Sequence, residues 1–363
     1  MRPSLFIEII AKFFSGVIGR ITEKFNDKNQ EEVLLHKTML DEEYSVDLQW
    51  GSTSINHSVV AADVVALDSS LPLKKRDKVS NASGELPKIG AKMSLKESDI
   101  QKINTMMAKG VDTATIVAKL FEDDAKLIRG VDIRNEINFL EALSTGVTLV
   151  EDEDMEETGI RVNFGYKDEN KLVTTAAWGT ADATPVDDLT ELFDKAHEAK
   201  DSIGHVWISK AYFDKLRKSE QGKVLVADFE GTIYTNANKL ATPSRARLQA
   251  ALEDEFSAKF HIIDSVHRVE KKDGSIENVR PWAEANIIGT PSDKVGRLVY
   301  GTLAEEAHPV EGVKYEKAGS FILVSKYSET DPLREYTCVQ ALCLPVIDGA
   351  DSFYMLQADQ TAA

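Results

Sequence analysis

Ala181-Asp-Ala-Thr-Pro-Val-Asp-Asp-Leu189 is the stretch on which the fold turns. Thr184 stands where an N-cap belongs, Pro185 fills the first helical position, and Asp187 and Asp188 sit in the first turn beside the positive end of the helix dipole. Val186, Leu189, Leu192, Phe193 and Ala196 recur at helical spacing and predict one buried face. Upstream, Ile160, Val162, Phe164 and Tyr166 alternate with polar residues, which predicts a half-buried strand; Lys167-Asp-Glu-Asn170 then turns it into a hairpin with Lys171 to Trp178. Downstream, strands are expected at His205 to Ile208, Val224 to Ala227, Phe260 to Val269 with a turn at Asp273-Gly274, Asn286 to Ile288 and Arg297 to Tyr300. Two more are expected at Phe321 to Tyr327 and Tyr336 to Val346, and short helices after Ser209 and from Pro243 to Phe256. Strands and helices without regular alternation define an α+β class, not a doubly wound sheet.

The N-terminal half is organised differently. Leu5, Ile9, Phe13, Val17 and Ile21 recur every fourth residue with Ile10 and Phe14 beside them, so an amphipathic helix packed on protein is expected. Glu8 and Lys12 interrupt the apolar run, no small-residue cleavage site follows, and no stretch reaches the roughly 18 apolar residues of a membrane span. Residues 22–57 read as an extended arm with Val33, Leu34, Tyr44 and Trp50 as anchors, and Val59 to Leu67 as a strand. Residues 70–97 read as a long two-stranded excursion turning at Asn81-Ala-Ser-Gly-Glu85. Such ribbons are marginal alone, so this one is expected to lie on another subunit. From Ser98 to Gly146 the period is helical, with a first piece ending at Gly110 and a long helix through Ile116, Leu120, Leu127, Val131, Ile137 and Leu140. Glu151 to Glu157 is an acidic turn between two strands that lacks the alternation and central Gly of a calcium loop.

The chain has 363 residues, 42% of them hydrophobic, enough for a sizeable core in two or three subdomains. Asp plus Glu outnumber Lys plus Arg by 60 to 43, a formal charge of −17, which argues against a surface built to grip phosphate backbones. Cys338 and Cys343 are too few for a disulfide framework or a zinc site and read as reduced thiols. His261, His267 and His308 are not spaced to share a metal, and no nucleotide-binding, nucleophile-elbow or zinc-protease motif occurs. No cofactor is expected. Val224-Leu-Val-Ala-Asp-Phe-Glu-Gly-Thr232 resembles the first motif of the haloacid-dehalogenase phosphatases, in which a strand delivers an Asp nucleophile; Asp228 would take that role and Glu230 the acid/base role, although the family has Asp there.

Several segments together resemble the major capsid proteins of tailed phages, in the family related to the phage lambda head protein. They are Val162-Asn-Phe-Gly165, Trp178 with Ala181 to Leu189, Val206-Trp-Ile-Ser-Lys-Ala-Tyr-Phe-Asp-Lys-Leu216, Asn286-Ile-Ile-Gly-Thr-Pro291 with Gly296-Arg-Leu-Val-Tyr-Gly301 as a late strand pair, Asp331-Pro-Leu333, and Leu344-Pro-Val346. Their order along residues 160–350 matches that family.

The resemblance implies the Hong Kong phage-type capsid fold, divided into an N-terminal helix and arm (1–57), a strand, extended loop and first helix (58–110), a spine helix with peripheral-domain strands (111–180), an axial domain (181–316), and a return to the peripheral domain with a C-terminal tail (317–363). It implies a non-enzymatic subunit that assembles into pentamers, hexamers and an icosahedral shell around double-stranded DNA. The expected location is the virion head, with assembly in the host bacterial cytoplasm and scaffold, portal and decoration proteins as further partners. No membrane partner is expected. Lys74, Lys75, Arg76, Lys88 and Lys92 make the excursion basic within an acidic protein and are the expected inter-subunit contact residues. An encapsulin-like compartment subunit, enclosing protein cargo, shares the fold and is the second reading; a phosphatase using Asp228 is the third.

Overall fold

The computed structural model describes residues 1–26, 33–54, 80–150, 160–233, 240–271 and 273–361. Contacts divide the chain into two units, one of residues 1–50, 84–139 and 297–346, the other of 51–83, 140–296 and 347–363.

In the first unit, α1 (Ile7–Asn26) is amphipathic, but its buried row is Phe6, Ile10, Phe14 and Ile18. Leu5 is exposed and Ile9, Phe13 and Val17 are half-buried, so the expected stripe is rotated by one residue. Two adjoining apolar rows compete on this helix. The row holding Phe14 wins because its ring meets Phe121 at 6.0 Å between centroids. The expected arm is partly structured: it contains the short α2 (His36–Met39), β1 (Leu40–Tyr44) and β2 (Gln49–Ser54), the last paired with β3 (Ser80–Glu85). Helices α3 (Glu97–Ala108) and α4 (Thr113–Leu120) follow, the latter capped by Asp112, whose carboxylate accepts from the Ala114 amide at 3.1 Å. The expected long helix is interrupted at Phe121 and resumes as α5 (Glu122–Thr145).

Strands β4 (Lys88–Leu95), β13 (Gly296–Gly301), β14 (Lys314–Ala318), β15 (Ile322–Thr330) and β16 (Leu333–Ile347) complete this unit with the short helix α10 (Ala304–Ala307). The six-stranded sheet runs β1-β13-β16-β15-β14, and β4 pairs β16 antiparallel from Leu95 opposite Glu335 to Lys88 opposite Leu342. This ladder corrects the expected excursion: its return segment is held by its own chain. The strand expected at Val59 to Leu67, the outgoing limb of the excursion up to residue 79, and the acidic turn at 151–157 lie outside the described residues.

In the second unit, β5 (Val147–Val150) pairs antiparallel with β6 (Ile160–Asn163). The expected hairpin of Ile160 to Tyr166 with Lys171 to Trp178 therefore does not form. Instead β7 (Lys171–Thr174) pairs in parallel with β17 (Tyr354–Thr361), a strand not anticipated in the C-terminal tail. The five-stranded sheet runs β7-β17-β12-β8-β9, with β8 (His205–Ser209), β9 (Lys259–Ile263) and β12 (Asn286–Thr290). A hairpin of β10 (His267–Glu270) and β11 (Ile276–Val279) turns at Asp273-Gly274 as expected.

The helices of this unit are α6 (Pro185–Glu198), α7 (Lys210–Lys218), α8 (Glu220–Phe229) and α9 (Arg245–Phe256). Leu189, Leu192, Phe213, Leu216, Leu248 and Leu252 from them bury a common core with Val206, Ile208, Phe260, Ile287 and Leu356 of the sheet. Thr184 precedes α6 as expected but makes no side-chain cap; the Gln221 amide oxygen accepts from the Val186 amide at 2.8 Å instead. Inside, the Trp178 indole donates to Asp188 at 2.7 Å, a carboxyl whose pKa burial pushes up. The expected late strand pair is split: β12 belongs to the five-stranded sheet and β13 to the six-stranded one. Neither expected boundary at 180/181 nor at 316/317 coincides with the division by contacts, because residues 140–180 and 347–363 share a unit with α6 to α9.

Candidate assembly surface

Among the five basic residues singled out in the sequence, Lys88 and Lys92 lie exposed on β4, while Lys74, Lys75 and Arg76 lie outside the described residues. Strand register separates the two faces of the six-stranded sheet, since directly paired residues share a face. Lys92 is opposite Cys338, which is opposite Ser325, which is opposite Tyr315. One residue along, Met93, Thr337 and Lys326 line the other face.

That second face is closed by helices. Lys326, buried to 1% exposure, places its ammonium 2.7 Å from Asp124 of α5 and 2.7 Å from the Thr337 hydroxyl, and 4.8 Å from the Phe121 ring centroid. Burial pushes the Asp124 carboxyl up, and the Lys326 charge opposes that shift. Also on α5, Glu136 accepts from the backbone amides of Leu35 and His36, each at 2.9 Å, and meets His36 Nδ1 at 2.7 Å; Asp132 meets Lys37 at 2.7 Å. Acids of the long helix thus fix the segment that leads into β1.

Among the described residues the first face stays open as a groove of about 460 Å³. Tyr315, Tyr327 and Cys338 form its floor, with Lys88, Lys92 and Glu305 at its border. Tyr327 and Tyr336 stack with ring centroids 5.2 Å apart, and the Lys92 ammonium lies 5.5 Å from the Tyr336 ring. Gln340 donates to Glu305 at 3.0 Å. Gly90 lets β4 lie close, because a Cβ there would meet the Val339 carbonyl at 2.9 Å. The tyrosine floor was missed in the sequence, because the row Tyr336, Cys338 and Gln340 alternates with Glu335, Thr337 and Val339 and neither row reads as an apolar face.

The structure overturns the phosphatase reading. Val224 to Ala227 is helical, so Asp228 sits exposed in the last turn of α8 and not at the tip of a strand. Glu230 caps that helix and pairs with Arg247 at 3.3 Å. No group of three or more His, Cys, Asp or Glu side chains is arranged to hold a metal among the described residues. Cys338 and Cys343 are free thiols; burial pushes Cys343 up to about 12. No helix among the described residues is long and apolar enough to cross a membrane.

Comparison with known proteins gives the class to which this α+β subunit belongs. The family model of phage major capsid protein E matches residues 20–357, and the chain belongs to that family. A prophage capsid protein from E. coli CFT073 shares the fold with a TM-score of 0.57 at 13% identity, over 94% of this chain and 98% of that one. A phage-related protein from Bordetella bronchiseptica RB50 does so with a TM-score of 0.52 at 10% identity, over 96% and 98%. No curated protein matches the chain. The protein is therefore a structural subunit of a phage head, located in the virion and assembling with copies of itself, and not an enzyme.

Proposed function

We propose that copies of this chain form pentamers and hexamers that close an icosahedral shell around double-stranded DNA, assembled in the host bacterial cytoplasm with scaffold and portal proteins. The single observation that carries this reading is the match to a phage capsid family over residues 20–357. A formal charge of −17 suits a container that must hold DNA without adhering to it. Within the shell, Lys74, Lys75, Arg76, Lys88 and Lys92 bind the acidic surface of a neighbouring copy, a role supported by the exposure of Lys88 and Lys92 on an anchored strand. The test is nuclease protection in particles purified after infection: protected duplex DNA supports the reading. Particles that carry protein cargo and no protected DNA would favour the compartment alternative.

A further inference from the structure

His205 begins β8 and His261 lies in the middle of the adjacent parallel strand β9, where it is registered opposite Trp207. Their rings are nearly coplanar, 4° apart with centroids at 5.1 Å, and His205 Nδ1 stands 2.9 Å from His261 Nε2. Coplanar rings at that separation meet nitrogen to nitrogen, so the contact is an N–H···N hydrogen bond that holds one proton between two imidazoles. The Trp207 indole stacks on His261, centroids 4.0 Å apart, and donates its own N–H to the Thr290 hydroxyl at 3.0 Å, which limits how far the pair can turn.

The strand they hold is an edge. β9 ends the five-stranded sheet, and the peptide groups of Phe260 are satisfied by α9: its amide donates to Glu253 at 3.2 Å and its carbonyl accepts from Gln249 at 2.9 Å. The charged groups facing the pair are Lys259 on β9, Glu253 on α9 and Asp293 after β12. Burial is the main cause that keeps both imidazoles below their ordinary value; Lys259 acts in the same sense, and Asp293 against it.

We propose that the His205–His261 pair is an acid-operated latch on β9. A first added proton keeps the bond, as imidazolium donating to imidazole. A second sets two N–H groups and two charges face to face, so the bond opens and the edge strand is released. A histidine held below its ordinary value adds stability that is complete above that value and is lost as the pH falls through the depressed one. The latch is therefore closed at neutral pH and opens on the acid side of ordinary imidazole titration, near 6.5.

The test is hydrogen exchange of the full chain over the peptide Lys259–Ile263, corrected for intrinsic rates, from neutral to about pH 4. His261→Gln supplies an amide where Nε2 stands and does not titrate. The wild type should lose protection in β9 on acidification by about tenfold or more, while His261→Gln keeps it and His308→Gln, an exposed control, follows the wild type. If His261→Gln does not fold, His205→Asn makes the same comparison from the other ring. Unchanged wild-type protection in acid, or loss at the same pH in the non-titrating variant, would overturn the latch.

Discussion

Lys326 illustrates what a single residue can hide. In sequence it is one more polar position in the strand Phe321 to Tyr327, yet it is buried against Asp124, 202 residues away. No local pattern encodes that pairing. Removing one partner leaves a charge buried alone, so Asp124→Ala should cost about 3–5 kcal/mol in denaturant unfolding. The double variant Asp124→Leu with Lys326→Met should recover most of that loss, and a double variant as weak as the single one would contradict it. Asp214 is the complementary case in the other unit, where Arg245 grips its carboxylate at 2.6 and 2.9 Å and Arg217 approaches to 3.1 Å. The Arg245 hydrogen bond, first of the causes, holds the Asp214 carboxyl below its ordinary 3.8. A depressed carboxylate adds stability that is present above the ordinary value and lost as pH falls through the depressed one. Asp214→Asn should thus cost about 1 kcal/mol at neutral pH and almost nothing in strong acid, measured by urea midpoints across pH.

At the scale of elements, α8 marks where the sequence misled. Val224-Leu-Val-Ala is a short β-branched run that local reading cannot distinguish from a buried strand. What decides for helix is Ser219, which ends α7 and starts α8: its hydroxyl donates to the Leu216 carbonyl at 2.7 Å and accepts from the Gly222 amide at 3.0 Å. Gly222 completes the corner, since a Cβ there would stand 2.2 Å from the Leu216 carbonyl. Gly222→Ala should force the two helices apart and lower the unfolding free energy by about 1–3 kcal/mol, whereas Gly231→Ala, next to open space but at φ +65, should cost only its backbone strain of about 1 kcal/mol. Calorimetry of both variants separates the two effects. Other elements were legible because their signals are local: α6 by Pro185 and its acidic first turn, α9 by Pro243 just ahead of it, and the β10–β11 hairpin by Asp273-Gly274. The ladder of β4 with β16 and the parallel pairing of β7 with β17 were not, because their partners lie more than a hundred residues away in sequence.

For the whole molecule, the acidic balance and the ordered series of capsid-like segments were readable, and the open tyrosine face was not, because it exists only once β4, β15 and β16 are in register. Because β4 is anchored, charge reversal informs more than deletion. Lys88→Glu with Lys92→Glu should leave a folded chain, with exposed side chains and the ladder intact, and reduce shell formation several-fold at low salt; shells formed as readily as by the wild type would remove these lysines from the contact. The most direct measurement of the central claim is electron microscopy of the purified full-length chain, coexpressed with the scaffold protein of its own phage. The account predicts closed icosahedral shells built of pentamers and hexamers. A population that stays monomeric across concentration and salt, with scaffold present, would contradict it.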